Sequence, residues 1–190
     1  MSGVFDDLDL NILKILQANG RVSITELAEK VGASRPTITS RLSNLLKDDT
    51  VIVRGGLNMA KLDFKMASIG LEVRNEEARV RMEEITERCP KILVVFRSHE
   101  KANLHLVIWG EDERTVKSTI ESYGDLNNVN IVYSHYLGTP THGYVMTPVH
   151  TGEEENTPCG KNCTVCNRYI KGWCRGCPTT KHYSNVFTEK

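Results

Sequence analysis

The sequence VSITELAEKVGASRPTITSRLSNLLKDD, from Val22 to Asp49, predicts two short helices joined by a tight turn. Gly32 lies between them and can adopt the left-handed backbone conformation that most residues resist. Ser34 is suited to cap the second helix, and Pro36 falls in its first turn, where a missing N–H does no harm. This arrangement is that of a helix-turn-helix.

The second helix has an apolar side and a polar side. Its apolar residues recur at helical spacing and predict a buried stripe, formed by Ile38, Leu42, Leu45 and Leu46. The other side carries short hydroxyls, an amide and basic groups, which suit a major groove because long acidic side chains would be repelled by phosphate. The predicted DNA-binding residues are Ser34, Arg35, Thr37, Ser40, Arg41, Asn44 and Lys47. Taken alone, the pattern also fits a small helical bundle with a solvated face.

The composition of the 190-residue chain is that of a globular protein, with 39% hydrophobic and 25% charged residues. Two domains are favoured at this length. No apolar run approaches the ~18 residues that span a bilayer, so no membrane partner is expected. Asp6, Asp7 and Asp9 lie where a secretory signal would be basic and then apolar, and we therefore expect a cytoplasmic protein.

The net charge is zero but unevenly distributed along the chain. Residues 34–61 carry +3, residues 63–150 carry −3, and residues 159–190 carry +5. A basic helix region and a basic tail therefore flank an acidic middle. The basic side chains of the tail would either offset the charge of a thiolate centre or contact phosphate; they are Lys161, Arg168, Lys171, Arg175 and Lys181.

From Phe64 onward, the apolar pattern predicts the element order βαββαβ, an α+β ferredoxin-like unit. The predicted strands cover 64–73, 92–96, 104–109 and 129–137, and the helices cover 76–88 and 113–123. Val80, Met82 and Ile85 are expected to point inward. Both helices would cover one face of the open antiparallel sheet, and a second copy of the sheet is expected on the other face, giving a homodimer. Two copies also suit a helix-turn-helix that reads two DNA half-sites.

Residues 8–45, LDLNILKILQANGRVSITELAEKVGASRPTITSRLSNL, followed by βαββαβ, resemble the Lrp/AsnC (feast/famine) family of transcription regulators. The resemblance covers roughly residues 7 to 138. An additional helix at Leu8–Asn19 precedes the helix-turn-helix, and Val51–Val53 is suited to a small strand or wing after it. The residues that match the family pattern are Leu8-Asp9, Ile12-Leu13, Asn19-Gly20-Arg21, Glu26-Leu27-Ala28, Ser34 and Arg41.

The resemblance implies sequence-specific binding of double-stranded DNA by the second helix and dimerisation through the ferredoxin-like domain. It also implies higher oligomers, from tetramer to octamer, and regulation by small molecules, typically amino acids. Family members that bind amino acids usually carry a glycine followed closely by an aspartate between the two middle strands. Here residues 97–103 read RSHEKAN, so an amino-acid effector is not expected and another effector stays open.

Five of the six cysteines lie in the tail, at the spacing C-x3-C-x2-C-x7-C-x2-C. In a reducing cytoplasm such a cluster predicts a metal site rather than disulfides. Two C-x2-C pairs can deliver four thiolates to a tetrahedral ion, and the glycines at 160, 172 and 176 permit the turns this requires. The predicted metal ligands are Cys159, Cys163, Cys166, Cys174 and Cys177.

Zinc is the expected metal, because a tail of this size cannot build a core and a structural ion would supply its folding energy. The fifth cysteine leaves a metal or redox sensor open, and an iron–sulfur cluster with it. A disordered tail with reactive thiols is the remaining alternative. His182 could add a ligand, although a histidine in a polar tail is more often solvated, and Cys89 is interpreted as a small buried apolar residue.

The predicted domains are a winged helix-turn-helix over residues 1–62, a ferredoxin-like dimerisation and effector domain over 63–138, a linker over 139–158 and the cysteine-rich tail over 159–190. The leading hypothesis is a DNA-binding transcription regulator. An effector-binding or interaction protein without DNA binding is the second hypothesis. An enzyme is not expected, because no paired carboxylates or nucleophile–base set is visible.

Overall fold

A computed structural model of the chain describes residues 5–47, 49–141, 143, 145–147, 149–150 and 152–184. The chain forms two compact units that meet between Gly55 and Gly56, earlier than the boundary predicted after residue 62. No helix in these described ranges is long and apolar enough to cross a membrane.

The N-terminal unit consists of three helices, α1 (Asp7–Ala18), α2 (Ile24–Val31) and α3 (Arg35–Leu46). α1 and α2 both begin with a capping box, in which the cap side chain and the third helical residue satisfy each other's backbone N–H. Gly32 ends α2 with a φ of 69°, the left-handed conformation predicted for it. The fully buried residues of this unit are Ile12, Leu27 and Ile38.

Two details of this unit differ from the sequence-based expectation. Leu46 is 40% exposed, because it follows the buried Leu45 directly and one residue along a helix turns away from the core. Val51–Val53 forms no strand, since these residues have no partner strand in the structure and Ile52 is 59% exposed.

The second unit contains the predicted ferredoxin-like domain, and the predicted βαββαβ order is confirmed. The elements are β2 (Lys65–Val73), α4 (Glu76–Arg88), β3 (Ile92–Arg97), β4 (Leu104–Gly110), α5 (Glu113–Gly124) and β5 (Val129–Leu137). The sheet has the antiparallel strand order β3-β4-β2-β5.

One face of this sheet packs on α4 and α5 around a core that includes Ile69, Leu106, Ile85 and Val116. Val80 was predicted to point inward but is 45% exposed, whereas Met82 and Ile85 are buried as expected. The opposite face, which we call the open face, presents Val94 and Phe96 of β3 to solvent, 39% and 58% exposed. The face expected to bind a second copy therefore has an accessible apolar edge on β3.

Two shorter strands join distant parts of the same unit. β1 (Leu57–Asn58) pairs antiparallel with β6 (Met146–Thr147), which falls inside the stretch interpreted as a linker. Met59, Met66 and Trp109 form a small buried cluster beside them. The tail, described here up to residue 184 and containing the short helix α6 (Asn167–Ile170), belongs to this unit as well.

Candidate nucleic-acid interface and cysteine cavity

The start of α3 is fixed by the contact predicted from the sequence. Ser34 has an extended backbone, and its side chain accepts a hydrogen bond from the Thr37 N–H at 3.3 Å. The two hydroxyls also lie 2.8 Å apart. Pro36 lies in the first turn, as predicted. The helix thus begins with its N-terminal N–H groups and two hydroxyls at the surface, an arrangement suited to contact phosphate.

The side of α3 that faces away from the core is short and polar or basic. Helical spacing places Ser40, Ser43 and Lys47 opposite the buried Ile38 and Leu45. Ser43 was not among the predicted residues, although its position three residues after Ser40 could have identified it. Six of the seven predicted DNA-binding residues are exposed: Ser34, Arg35, Thr37, Ser40, Asn44 and Lys47.

Arg41 is the exception, because its guanidinium pairs with carboxylates at the start of α1. Its Nη1 lies 2.6 Å from Oδ2 of Asp6 and 3.3 Å from Oδ1 of Asp9 at the start of α1. The backbone hydrogen bond from Asp9 lowers the pKa of Asp6, and the Arg41 guanidinium lowers it further. Arg41 therefore joins α3 to α1 and is only partly exposed.

All six cysteines of the chain line one cavity of about 70 Å³, which we call the cysteine cavity. Five come from the tail, and the sixth is Cys89, which follows the last residue of α4. Cys89 packs against the domain core, and its Sγ lies 3.5 Å from the Tyr123 hydroxyl of α5. The interpretation of Cys89 as a small apolar residue accounts for its burial but did not anticipate its place beside the tail cysteines.

The tail is held against the ferredoxin-like domain by ion pairs. Arg168 contacts Glu121 at 3.0 Å and Asp125 at 2.9 Å, and Lys161 contacts Asp125 at 2.9 Å. Arg175 contacts Asp112, the N-cap of α5, at 3.3 Å. The carboxylates on and beside α5 are thus partners for the basic tail that the sequence analysis did not consider.

Buried contacts add to these ion pairs. The Ser118 hydroxyl of α5 donates to the Trp173 carbonyl at 2.8 Å. The Tyr183 hydroxyl donates to Oε1 of Glu111 at 2.5 Å, and Glu111 also pairs with Lys91 at 2.8 Å. Both side chains of the Lys91–Glu111 pair are at most 5% exposed, so each needs the other to satisfy its charge.

The geometry of the thiols bears on metal binding. All six cysteines lie in the described residues and are free thiols. Within the described part of the chain, no three His, Cys, Asp or Glu side chains lie close enough together to hold one metal ion. Burial raises the pKa of the Cys89, Cys163 and Cys174 thiols and raises that of Cys177 to about 12. Without a cation, these thiols are protonated at neutral pH.

The tail glycines have the backbone conformation that the turns require. Gly160, Gly172 and Gly176 all have positive φ, as the sequence analysis expected. Any side chain at Gly176 would also meet the His182 carbonyl oxygen, at 2.7 Å from its Cβ. The His182 side chain does not line the cysteine cavity, and its Nε2 lies 3.8 Å from Oε2 of Glu155.

Comparisons with known proteins support the interpretation of the N-terminal unit. Residues 5–52 match the family described as winged helix-turn-helix DNA-binding. Over 126 residues the chain is 26% identical to the HTH-type transcriptional regulator LrpA of Pyrococcus horikoshii, a match that covers 63% of this chain and 85% of that protein.

Solved structures share the fold of most of the chain. The leucine response regulatory protein (LrpA) of Mycobacterium tuberculosis matches with a TM-score of 0.61 and 19% identity, covering 73% of this chain and 96% of that chain. A transcriptional regulator of Neisseria meningitidis, solved as an L-Met complex, matches with a TM-score of 0.60 and 22% identity, covering 77% and 97%. These solved structures show the fold of the chain, and the family match assigns residues 5–52 to a winged helix-turn-helix DNA-binding family.

Proposed function

We propose that the chain is a sequence-specific DNA-binding transcription regulator in which α3 enters the major groove. The observation that carries the proposal is the exposed face of α3, where hydroxyl, amide and basic side chains project from a capped helix within the region that matches a DNA-binding family. Recognition helices of this class place their N-terminal residues against base edges. Ser40 is central on that face, and Lys47 at its end is suited to contact phosphate.

Selection of bound duplexes from a random-sequence library by the full chain tests this proposal. The affinity of the selected duplex is then compared for wild type, Ser40→Glu and Gln17→Glu. Both variants add one negative charge to an exposed helical position, but Gln17 lies on α1. We expect Ser40→Glu to weaken binding at least about tenfold through repulsion by phosphate, and Gln17→Glu to change it little. Failure to enrich any sequence would instead favour the effector-binding or interaction protein.

We also propose that the chain forms a homodimer through the open face of the sheet. Val94 and Phe96 are exposed on this face, and burying them against a second copy would remove apolar surface from water. A dimer would present two α3 helices to two half-sites, and tetramers to octamers would follow from further contacts.

The mass of the assembly in solution, measured by light scattering, tests this second proposal. We expect Phe96→Glu to give monomers, because it buries an unpaired charge in the interface. Val80→Glu is the matched control, since Val80 is also an exposed apolar residue but lies on α4. A wild-type monomer, or equal effects of the two variants, would contradict the proposed interface.

The tail is proposed to bind metal through Cys159, Cys163, Cys166, Cys174 and Cys177, as a structural or sensing module. The positive-φ glycines between these cysteines and their shared cavity support this proposal. Zinc is the first candidate and an iron–sulfur cluster is the alternative. Elemental and sulfide analysis of protein purified without oxygen distinguishes them, since zinc is colourless and an iron–sulfur cluster contains sulfide and absorbs visible light.

An amino-acid effector is not part of the proposal, although one structural neighbour was solved with L-Met. In the loop between β3 and β4, polar side chains form hydrogen bonds with the backbone of the same chain. The Ser98 hydroxyl donates to the Ala102 carbonyl at 2.7 Å, and the Asn103 amide donates to the Val73 carbonyl at 2.9 Å. These two side chains are thus engaged within the chain, and the chemical class of any effector stays open.

A further inference from the structure

The six thiols come from two parts of the second unit that the sequence analysis treated separately. Cys89 belongs to the ferredoxin-like domain, where its backbone N–H bonds to the Ile85 carbonyl at 2.8 Å and closes α4. The other five cysteines belong to the tail. All six nevertheless line the same cavity. The position of Cys89 is thus set by the domain core and does not depend on the tail turns.

The cavity is larger than one ion requires. A single water needs about 10–15 Å³ measured in the same way, so about 70 Å³ has room for several atoms. Thiolates that share one zinc must all lie about 2.3 Å from a single point. Within the described residues, which include every cysteine, no three potential ligands converge in that way. Each iron atom of an iron–sulfur cluster needs only one or two thiolates, because inorganic sulfide supplies its other ligands, so six thiols spread around such a space suit a centre with several metal atoms better than one shared zinc.

The walls of the cavity also carry positive charge. Lys91, Lys161 and Arg168 line it together with the cysteines. Each of these cations is held in place by a carboxylate of the ferredoxin-like domain, at 2.8–3.0 Å. Thiolate metal centres are commonly negative overall, because the thiolates outnumber the charge of the metal. Fixed cations at the wall would stabilise such a centre.

We infer that the six thiols hold one polynuclear thiolate metal centre, with Cys89 as the ligand that ties the tail to the ferredoxin-like domain. This inference rests on the proposed metal binding by the tail and extends it to more than one metal atom per chain and to a sixth ligand. Each thiol that binds metal releases its proton to solvent, so loading the centre acidifies the solution. The centre is therefore held by ligands from both the ferredoxin-like domain and the tail.

Metal content of the full chain, purified without oxygen, tests the inference. Zinc, iron and acid-labile sulfide are measured for wild type, Cys89→Ser and Ser122→Ala. Ser122 also lines the cavity but has no thiol, so it controls for disturbance of the wall. We expect at least two metal atoms per chain in wild type and in Ser122→Ala, and fewer in Cys89→Ser.

Alkylation of the native wild-type protein, read by mass spectrometry, keeps the test valid if Cys89→Ser fails to fold. We expect Cys89 to be protected in the loaded protein and to react after treatment with a chelator. One metal atom per chain, with Cys89 labelled equally before and after chelation, would overturn the inference. The proposal that the five tail cysteines bind metal would then remain valid. Absence of metal from the wild-type protein would overturn both the polynuclear centre and the proposed metal binding by the tail. The proposed regulator function is tested separately, by selection of a DNA sequence.

Discussion

Helix α3, the proposed recognition helix, and the cysteine-rich tail differ in how far along the chain their decisive contacts reach. At α3 the cap joins Ser34 to Thr37, three residues apart. In the tail, Arg175 reaches back 63 residues to Asp112, and the Pro158 carbonyl accepts from Arg81, 77 residues earlier. Local contacts leave a pattern in the sequence, whereas distant ones do not. Helix α3 could therefore be located from sequence alone, but the partner of the tail could not.

The largest expected effect comes from removing the metal proposed for the tail. A structural metal contributes on the order of 10 kcal/mol of folding free energy in small domains. With chelator and a thiol-free reductant, we expect the amides of residues 159–184 to lose protection from hydrogen exchange by several orders of magnitude. Amides of α4 should retain theirs, because the domain core does not depend on the tail. Unchanged protection of the tail would show that its ion pairs and buried hydrogen bonds hold it without a metal.

The next effect concerns the core of the N-terminal unit. Ile38 is fully buried, so Ile38→Ala should lower the free energy of unfolding by about 2–5 kcal/mol. Leu46→Ala in the same helix should cost much less, because Leu46 is already 40% exposed. Chemical denaturation followed by circular dichroism measures both. Equal losses would mean that Leu46 is buried against another surface in solution.

A smaller effect is expected at the start of α3. Ser34→Ala removes the hydrogen bond to the Thr37 N–H and should destabilise the N-terminal unit by about 1 kcal/mol. Ser34→Asp restores an acceptor at the cap and should recover that stability. It should still bind DNA more weakly, because the new carboxylate lies on the proposed interface. If both variants lose stability, the hydrogen bond at the cap is not what stabilises the start of α3.

The smallest effect is expected for the ion pairs that dock the tail. Arg168→Ala should cost about 1 kcal/mol or less, because its partners Glu121 and Asp125 are partly exposed to solvent, which screens the ion pairs. The Arg168 hydrogen bond lowers the pKa of Asp125 below its ordinary 3.8, so the ion pair stabilises the fold above that pH and weakens as acid protonates the carboxylate. Denaturation at pH 7 and below pH 4 should show the difference between wild type and variant shrinking in acid. If the difference in free energy of unfolding between wild type and Arg168→Ala persists in acid, the Arg168 side chain stabilises the fold by packing and not by its charge.

Much of the fold was predictable because it follows from residue periodicity. The element order βαββαβ of the second unit and the three helices of the first match the expectation. Val80 was misassigned on its apolar character alone: two residues from both Ala78 and Met82, it lies on the opposite side of the helix from these buried positions. The short strand was predicted at Val51–Val53 and found at Leu57–Asn58, because its partner Met146–Thr147 lies far along the chain.

The candidate sites were predictable to a similar extent. The exposed side of α3 followed from the spacing of its polar residues. The ion pairs of Arg41 could not be predicted, because its partners Asp6 and Asp9 lie 35 and 32 residues earlier. The tail cysteines were evident from their spacing. Cys89 carries no such pattern, and only the folded chain brings it to the cysteine cavity.

The most direct test of the central claim is the salt dependence of DNA binding. Affinity for the selected duplex is measured from low to high salt for wild type, Lys47→Ala and Lys14→Ala, which remove the same charge from α3 and α1. If α3 lies in the major groove with Lys47 on a phosphate, Lys47→Ala should reduce the slope of log affinity against log salt by about 1. Lys14→Ala should leave the slope unchanged. Equal slopes for wild type and Lys47→Ala, with a loss at Lys14→Ala instead, would contradict the account.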